Sequence, residues 1–549
     1  MTTPRPRDLN HLGDFSVAPR ILAIAGLAVP IGALSAGVAW CLLRLIGLIT
    51  NLVFYQRLGT ALVAPGEGHH SPLLILLAPV CGGLVVGLMA RFGSEKIRGH
   101  GIPEAIEAIL VSGSKVQPRV ALLKPIASAV TIGTGGPFGA EGPIIMTGGA
   151  LGSIWAQFLH LTADERKTLL VAGAAAGMAA TFNAPLASVL LAVELLLFEW
   201  RPRSFIPVVA AVAVATIVRV PLLGSGAIFP MPPGTLHLDA AVYGLCVASG
   251  IAGGLLALLA TTLVYLSEDT FQRLPIHWMW WPAIGGVIIG IGGLIVPQAL
   301  GVGYNVIESE LNGTITTDLI VGILIVKTLI WSLSLGSGTS GGVLAPMLMI
   351  GGALGGLEAS VFPHVAAGFW PLVGLAGVLG GVMRSPLTGV VFALELTHRY
   401  EALLPLLIGA TVAYAVSILV LRRSVLTEKI ARRGLHLTRE YSVDPLEVLF
   451  VGDVMSTVVG PLADSAGKVV AHADDTLRHV AYVMAEHGVT DLPVVDREDH
   501  TKVVGTITLE QLLQGRLRDL QEERHSERVL RPGDMIGLGR PTATKETAG

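Results

Sequence analysis

Glu141 is a carboxylate in a stretch that otherwise holds glycine, proline, apolar residues and one threonine. Ionisable side chains are costly in such surroundings and mark functional sites by default. Gly139 and Gly142 leave backbone N–H groups unshielded, and Pro143 suits the first turn of a helix, so the pattern predicts Glu141 at a helix N-terminus. Free amides and the helix dipole favour negative charge there. We expect Glu141 to compete with a permeating anion for one site, as a gate that protonation opens; a buried helix cap is the alternative.

The composition predicts a polytopic membrane protein. Of 549 residues, 52% are hydrophobic and 14% are charged, and the mean hydropathy is +0.68. A spanning helix needs about 20 apolar residues. Stretches of that length recur at residues 21–49, 71–90, 240–266 and 403–421. A typical soluble enzyme is excluded, and there is no basic domain that would bind nucleic acid.

The charges near the N-terminus predict the orientation of the chain in the lipid bilayer. Arg5, Arg7 and Arg20 precede or open the first apolar run, which places the N-terminus in the cytoplasm by the positive-inside rule. The run is too long for a cleaved signal peptide. We expect a multi-pass protein of the inner cell membrane with both termini cytoplasmic. The cysteines are scattered through apolar segments and predict neither a disulfide framework nor a metal site: Cys41, Cys81 and Cys246.

Two stretches of the chain repeat at an offset of about 200 residues. Residues 124–151 resemble 327–354 (327 − 124 = 203), and residues 183–195 resemble 384–396 (384 − 183 = 201). Both pairs combine Gly or Pro punctuation with apolar runs, which predicts broken helices. Such repeats are typical of transporters, whose binding site lies near the membrane midplane at the repeat interface.

The repeat separates residues that both halves share from residues that one half has alone. Glu141 has Leu344 as its counterpart, so only one of two similar helix N-termini carries a carboxylate. A purely structural cap would not need that asymmetry. Lys124 matches Lys327, which favours a repeated scaffold pair over anion ligands.

Three motifs carry a resemblance to a known family. They are Gly-His-Gly-Ile-Pro at 99–103, Gly-Ala-Glu-Gly-Pro at 139–143 and Gly-Val-Leu-Ala-Pro at 342–346. In order and spacing the chain resembles the CLC family of chloride channels and proton-coupled anion antiporters over about residues 20 to 440. The resemblance implies a homodimer with one anion pathway per subunit, two inverted halves, and Glu141 as external gate and proton acceptor.

The resemblance also implies where the anion binds. The amides of Val343 and Leu344 are expected to help to hold the central anion. The full set of expected anion-binding residues is Gly99, His100, Gly101, Ile102, Pro103, Gly139, Ala140, Gly142, Pro143, Gly342, Val343, Leu344, Ala345, Pro346 and Leu426.

Three positions depart from the family pattern. The family's central serine is His100 here, and its tyrosine near the last membrane helix is Leu426, so both hydroxyl ligands are replaced. His100 either donates an N–H to the anion or takes a proton near neutral pH; the alternative is a structural histidine that lines the inner mouth. The family's basic residue before the gating glutamate is Ala140, which weakens the local field for anions.

The inner proton route also departs from the family pattern. Many antiporters of the family have an inner glutamate where this chain has Leu195, and its absence is typical of channels, although some antiporters lack it too. Glu194 and Glu199 are the candidates for an inner proton relay. Glu194 repeats as Glu395, which favours a structural role for both.

The composition changes after residue 440. Residues 451–514 predict an amphipathic helix, a buried strand, a turn and another strand, and resemble a single CBS motif. Such motifs normally pair, so pairing across a dimer is expected. Many bind adenine nucleotides through an acid at the position of Gln511, so we favour a dimerisation module over a nucleotide site and expect no other cofactor.

The sequence thus predicts an all-α polytopic membrane protein with two inverted repeats, broken and re-entrant helices, and a small cytoplasmic α/β domain. The expected boundaries are an N-terminal segment at 1–19, a transport domain at 20–440 with repeats around 90–215 and 300–430, a CBS-type domain at 447–515, and a polar tail at 516–549.

Four functions fit these features to different degrees. The leading hypothesis is exchange of chloride or a similar anion with protons. A passive chloride channel, gated by voltage or pH, is favoured by Leu195. A fluoride–proton antiporter of the same family is the third hypothesis, but the sequence has no feature that specifically indicates fluoride. A CBS-bearing metal-ion transporter or an intramembrane hydrolase would need clustered midplane carboxylates or a His-Glu-x-x-His motif, and the sequence has neither.

Overall fold

The computed structural model describes residues 19–110, 113–232, 234–433, 446, 449–457, 469–497, 499 and 502–524. The chain divides into two compact units at about residue 440. We call them the membrane unit and the C-terminal unit. Most of the predicted N-terminal segment and of the polar tail lies outside the described residues.

The described part of the membrane unit is helical. Its helices, in chain order, are α1 Arg20–Tyr55, α2 Pro72–Phe92, α3 Ile102–Leu110, α4 Pro118–Gly133, α5 Glu141–Gln157, α6 Ala163–Phe182, α7 Pro185–Leu191, α8 Pro202–Leu223, α9 Ala240–Gln272, α10 Trp281–Ile295, α11 Tyr304–Leu311, α12 Thr317–Gly322, α13 Thr328–Gly336, α14 Leu344–Glu358, α15 Phe369–Met383, α16 Pro386–Thr397, α17 Leu403–Val420 and α18 Thr427–Arg432. Wider helical turns extend α7 over Ala192–Leu197 and join α12 to α13 over Ile323–Lys327.

Seven helices among the described residues are long and apolar enough to cross a membrane: Arg20–Tyr55, Pro72–Phe92, Pro202–Leu223, Ala240–Gln272, Trp278–Ile295, Thr317–Gly336 and Tyr400–Val420. Each of the four spans expected from the sequence coincides with one of them, to within one residue where it extends beyond the helix. Other apolar helices, such as α14 and α15, have only 15 residues each and are too short to cross. The predicted mixture of full spans and broken helices is therefore confirmed.

The two halves of the membrane unit pack in equivalent ways. Helix α5 packs on α6 as α14 packs on α15, and α2 packs against its own counterpart α10. A Cβ at Gly83 would overlap the Pro282 carbonyl oxygen, and a Cβ at Gly286 would overlap that of Pro79 (286 − 83 = 203; 282 − 79 = 203). The repeat therefore begins earlier than the stretches at 90–215 and 300–430 expected from the sequence.

The C-terminal unit is a small α/β domain. Its elements are α19 Val451–Val454, β1 Ala471–His472, α20 Leu477–His487, β2 Asp491–Val495, β3 Val503–Thr508 and α21 Leu509–Arg524. The sheet order is β1-β2-β3, with β1 parallel and β3 antiparallel to β2. The predicted helix–strand–turn–strand pattern is confirmed. Leu477, Val480, Val494 and Ile507 form its buried core.

Candidate anion site

The three motifs meet in one place although they are far apart in the sequence. The Gly342 N–H donates to the Gly139 carbonyl at 2.8 Å, and the Gly99 N–H donates to the Thr339 carbonyl at 3.0 Å. The Gly341 N–H donates back to Gly99 at 3.4 Å. These short backbone ladders fix the N-termini of α3, α5 and α14 side by side.

Close backbone approach explains why glycine stands at these positions. A Cβ at Gly142 would overlap the His100 carbonyl oxygen, and a Cβ at Gly342 would overlap the carboxylate of Glu141. Any other residue would force the three segments apart. The glycines therefore allow the segments to pack around one point, with Pro103, Pro143 and Pro346 each inside the first turn of its helix.

Glu141 is the first residue of α5 and is fully buried, as the sequence predicts. Its Oε1 accepts a hydrogen bond from the Ala345 N–H at 3.3 Å, and the Leu344 amide also interacts with the carboxylate. Its Oε2 has no partner within the described residues. The carboxylate of the first half thus occupies the N-terminus of α14, the matching helix of the second half.

An anion in place of that carboxylate would meet the same donors. Helix dipoles contribute only about 0.3–2 kcal/mol, whereas hydrogen bonds involving a charged group contribute about 1.5–3 kcal/mol each. The donors from α14 are the amides of Leu344 and Ala345, one residue later than the Val343 and Leu344 expected for the central anion, and the Glu141 N–H also interacts with its own carboxylate. Binding by amides without a full positive charge leaves an anion free to depart.

His100 lines a cavity of about 590 Å³, which we call the His100 cavity. The residue is 4% exposed, and its Nδ1 has no partner within the described residues. Nearby, Glu104 accepts from Lys429 Nζ at 2.8 Å and from Arg433 Nη2 at 3.2 Å. The imidazole therefore lines the same cavity as a paired charge cluster, and its unpartnered Nδ1 suits an N–H donor to an anion. Sequence reasoning missed Glu104, although it directly follows Pro103.

Leu426 is fully buried just before α18 and offers no hydroxyl. Tyr265 of α9 lines the His100 cavity, but its hydroxyl donates to the carbonyl of Val425. This bond, with the Lys429–Glu104 ion pair, anchors the segment that carries Leu426. No motif marks Tyr265 in the sequence.

The two repeated lysines hold equivalent loops. Lys124 Nζ donates to the carbonyls of Ile97 at 2.8 Å and Gly99 at 2.6 Å. Lys327 Nζ donates to the carbonyls of Ala299 at 2.9 Å and Gly301 at 2.7 Å. Both lysines are fully buried. Each fixes the loop that leads into a short helix, α3 or α11, as the scaffold interpretation predicts.

Glu194 and Glu395 each cap the N-terminus of a helix in the opposite half of the membrane unit. Glu194 Oε2 accepts from the Thr388 N–H at 2.9 Å and from its hydroxyl at 2.6 Å, at the start of α16. Glu395 accepts from the Leu186 and Ala187 amides at 2.9 and 2.8 Å, at the start of α7. This reciprocity explains why both glutamates occur in the repeat.

The other relay candidate, Glu199, lies in a charged surface cluster. Its carboxylate accepts from the Ser204 hydroxyl at 3.0 Å and pairs with Arg203 at 3.3 Å and Arg201 at 3.6 Å. The side chain where an inner acid was expected, Leu195, is fully buried. Glu199 thus lies beside basic side chains. Its role as an inner proton relay stays a prediction.

In the C-terminal unit, Gln511 is part of a helix cap. Its Oε1 accepts from the Thr508 N–H at 2.9 Å, and its own N–H donates to the Thr508 hydroxyl at 3.3 Å. The side chain at the position of the nucleotide-binding acid is thus engaged within the protein.

A comparison with family models identifies the membrane unit. Residues 81–418 match the model described as voltage gated chloride channel, and residues 451–517 match the CBS domain. The chain belongs to the voltage gated chloride channel family. A curated member of that family, the H(+)/Cl(-) exchange transporter ClcA of Salmonella arizonae, is 35% identical over 423 residues, which cover 71% of this chain and 85% of that protein.

Solved structures of the family share the fold. A slow cyanobacterial Cl−/H+ antiporter aligns with a TM-score of 0.65 at 24% identity, covering 76% of this chain and 99% of that one. A CLC-type fluoride/proton antiporter aligns with a TM-score of 0.63 at 19% identity, covering 73% of this chain and 97% of that one. The predicted fold class, a helical membrane protein with a small CBS-type domain, is confirmed.

Proposed function

We propose that this chain exchanges chloride for protons across a membrane, with Glu141 as both gate and proton acceptor. The observation that carries the proposal is the buried Glu141 carboxylate, held at 3.3 Å by the Ala345 N–H at the start of α14. The exchange activity of the Salmonella arizonae relative supports the same reading. It is a transport function and not an enzymatic one.

The geometry gives a mechanism in which one site serves two negative groups in turn. The ionised Glu141 carboxylate occupies the amides of Leu344 and Ala345 and excludes an anion from them. Protonation removes the negative charge of Glu141 and so weakens each of those hydrogen bonds by about 1 kcal/mol. Chloride can then displace the neutral side chain from the amides. When chloride leaves, Glu141 releases its proton and returns to the site, so anion passage and proton passage are linked.

The test is Glu141→Gln in proteoliposomes that record chloride and pH together. Glutamine keeps the size of the side chain but cannot be ionised, so we expect chloride flux to persist and proton flux to vanish. Glu358→Gln is the matched control, because Glu358 is also a carboxylate on the membrane unit, at the other end of α14, hydrogen-bonded to Ser249 at 2.6 Å. Unchanged proton flux in Glu141→Gln contradicts the assignment of Glu141.

A passive chloride channel is the second candidate, and the buried apolar Leu195 favours it. In that case Glu141 gates the anion without carrying protons in a fixed ratio. Chloride movement with no proton movement in the unmodified protein would establish this alternative.

We also propose a homodimer in the inner cell membrane with both termini in the cytoplasm. The basic residues that follow the last span support that orientation: Arg422, Arg423, Lys429, Arg432 and Arg433. The C-terminal unit, with Gln511 engaged in a cap, is proposed to pair across the dimer as a structural module. Cross-linking in native membranes tests the dimer, and labelling of a cysteine introduced after α18 tests the orientation.

A further inference from the structure

Glu310 is a buried carboxylate that the mechanism above does not use. It lies on α11, is fully buried, and neither of its oxygens has a hydrogen-bond partner within the described residues. An unpaired buried charge costs several kcal/mol, and a buried polar group without a partner requires an explanation. A Cβ at Gly352 of α14 would overlap the Glu310 Oε2, so the neighbouring helix leaves space for this carboxylate.

The repeat shows that Glu310 belongs to one half only. Helix α3 begins at Ile102 and α11 at Tyr304, an offset of 304 − 102 = 202. The same offset makes Ala108 the counterpart of Glu310 (310 − 202 = 108). The capping glutamates Glu194 and Glu395 occur in both halves. Glu310 follows instead the one-sided pattern of Glu141.

Lys327 links the two one-sided glutamates electrostatically. Its ammonium group is held by the carbonyls of Ala299 and Gly301, and it interacts with the charges of both Glu310 and Glu141. Helix α14 also packs on α11 and carries Glu358, which is hydrogen-bonded to Ser249.

Few other groups face Glu310. Helix α15 also packs on α11 and carries no titratable side chain. The Tyr304 hydroxyl is on the same helix and unpartnered within the described residues, but the charge it interacts with is that of Glu141. Among the described residues, Lys327 is the cation whose charge acts on Glu310.

One lysine between two carboxylates carries a net charge of −1 when all three groups are ionised. A single proton on either carboxylate makes the set neutral, which a low-dielectric interior favours. We propose that Glu310 is a second proton-binding group of the exchanger, coupled to Glu141 through Lys327. The proposal rests on the exchange function proposed above. In the step, a carboxylate oxygen of Glu310 takes a proton from water and later returns it, with no other bond made or broken.

The first test is the pH dependence of chloride flux in proteoliposomes containing Glu310→Gln. Removing the negative charge of Glu310 makes Glu141 easier to ionise. The Glu141 carboxylate therefore stays ionised, and keeps the anion site occupied, at a lower pH than in the unmodified protein. We expect the pH of half-maximal flux to move by about one unit toward acid, as for coupled titrating groups. Glu308→Gln is the matched control, because Glu308 is an exposed glutamate on the same helix and its loss should leave the profile unchanged. An unshifted profile in Glu310→Gln overturns the proposal.

The second test reads protonation without transport. In the Glu141→Gln protein, difference infrared spectra across a pH titration should contain a carboxylic-acid band that is lost in Glu141→Gln/Glu310→Gln. If Glu310→Gln does not fold, Glu310→Leu takes its place in both tests, since an apolar side chain of similar volume often replaces a buried charge without loss of stability. A band that persists in the double variant overturns the proposal. Failure of the unmodified protein to move protons overturns the proposed function instead, and leaves the spectral test readable.

Discussion

Replacement of Glu194 by glutamine separates a structural cap from an inner proton relay. Glu194 accepts two hydrogen bonds from Thr388, at 2.9 and 2.6 Å. A bond to a charged acceptor contributes about 1.5–3 kcal/mol and a neutral one about 0.5–1.5 kcal/mol. Loss of the charge at two bonds therefore costs about 2–3 kcal/mol in the free energy of unfolding. We expect lower thermal stability and an unchanged ratio of protons to chloride.

The assay combines two measurements on the same purified protein. Thermal unfolding in detergent is recorded at one fixed scan rate, because unfolding of such a protein is governed by rate. Proton and chloride fluxes are then recorded together in proteoliposomes. Glu395→Gln is the matched control: it weakens the mirror-image cap on Leu186 and Ala187 and should lower stability by a similar amount. A Glu194→Gln protein with normal stability and a reduced proton ratio would refute the cap and restore the relay.

Three further predictions follow from other contacts. The His100 Nδ1 has no hydrogen-bond partner within the described residues, as expected of a group that binds the anion. His100→Ala should therefore change the selectivity among chloride, nitrate and fluoride; identical selectivity assigns His100 a structural role. Lys327→Met should lower the unfolding temperature more than a surface lysine variant such as Lys115→Met, because it leaves two buried carbonyls without their donor; an equal effect contradicts the scaffold role. Addition of millimolar ATP should not move the unfolding temperature, since Gln511 is engaged in its cap, and an upward shift would reveal a nucleotide site.

Much of the site could be predicted because its determinants are local. The helix start at Glu141 follows from the glycines and proline around it, and the lysine scaffold follows from the repeat of Lys124 and Lys327. The partner of the Glu141 carboxylate could not be found in this way, since the Ala345 amide lies 204 residues away in sequence. A contact of that length depends on how the two halves pack, which no local pattern encodes.

Glu310 was missed for a different reason. It lies in a short helix of mixed composition, Tyr304–Leu311, outside the stretches in which the repeat is visible in the sequence. Beside Glu308 it resembles one of two acids on an exposed helix face. Only the packing of α11 on α14 shows that one glutamate is buried and the other is exposed.

The extent of the repeat was also underestimated. Helices α2 and α10 match at the same offset of 203 residues (282 − 79 = 203): Pro79, Gly82, Gly83 and Gly87 pair with Pro282, Gly285, Gly286 and Gly290. Their glycine contacts with Pro79 and Pro282 are equivalent as well. Small residues allow close helix packing in membranes, so the repeat keeps the glycines at the contact while the apolar residues between them vary.

The most direct measurement of the central claim uses the unmodified protein in liposomes. A chloride gradient is imposed at equal pH on both sides, and internal pH is recorded beside chloride. Exchange through Glu141 predicts that chloride moving down its gradient drives protons in the opposite direction and builds a pH difference. Chloride movement that leaves the pH unchanged, with the membrane potential clamped, would contradict proton-coupled exchange and make the protein a chloride channel.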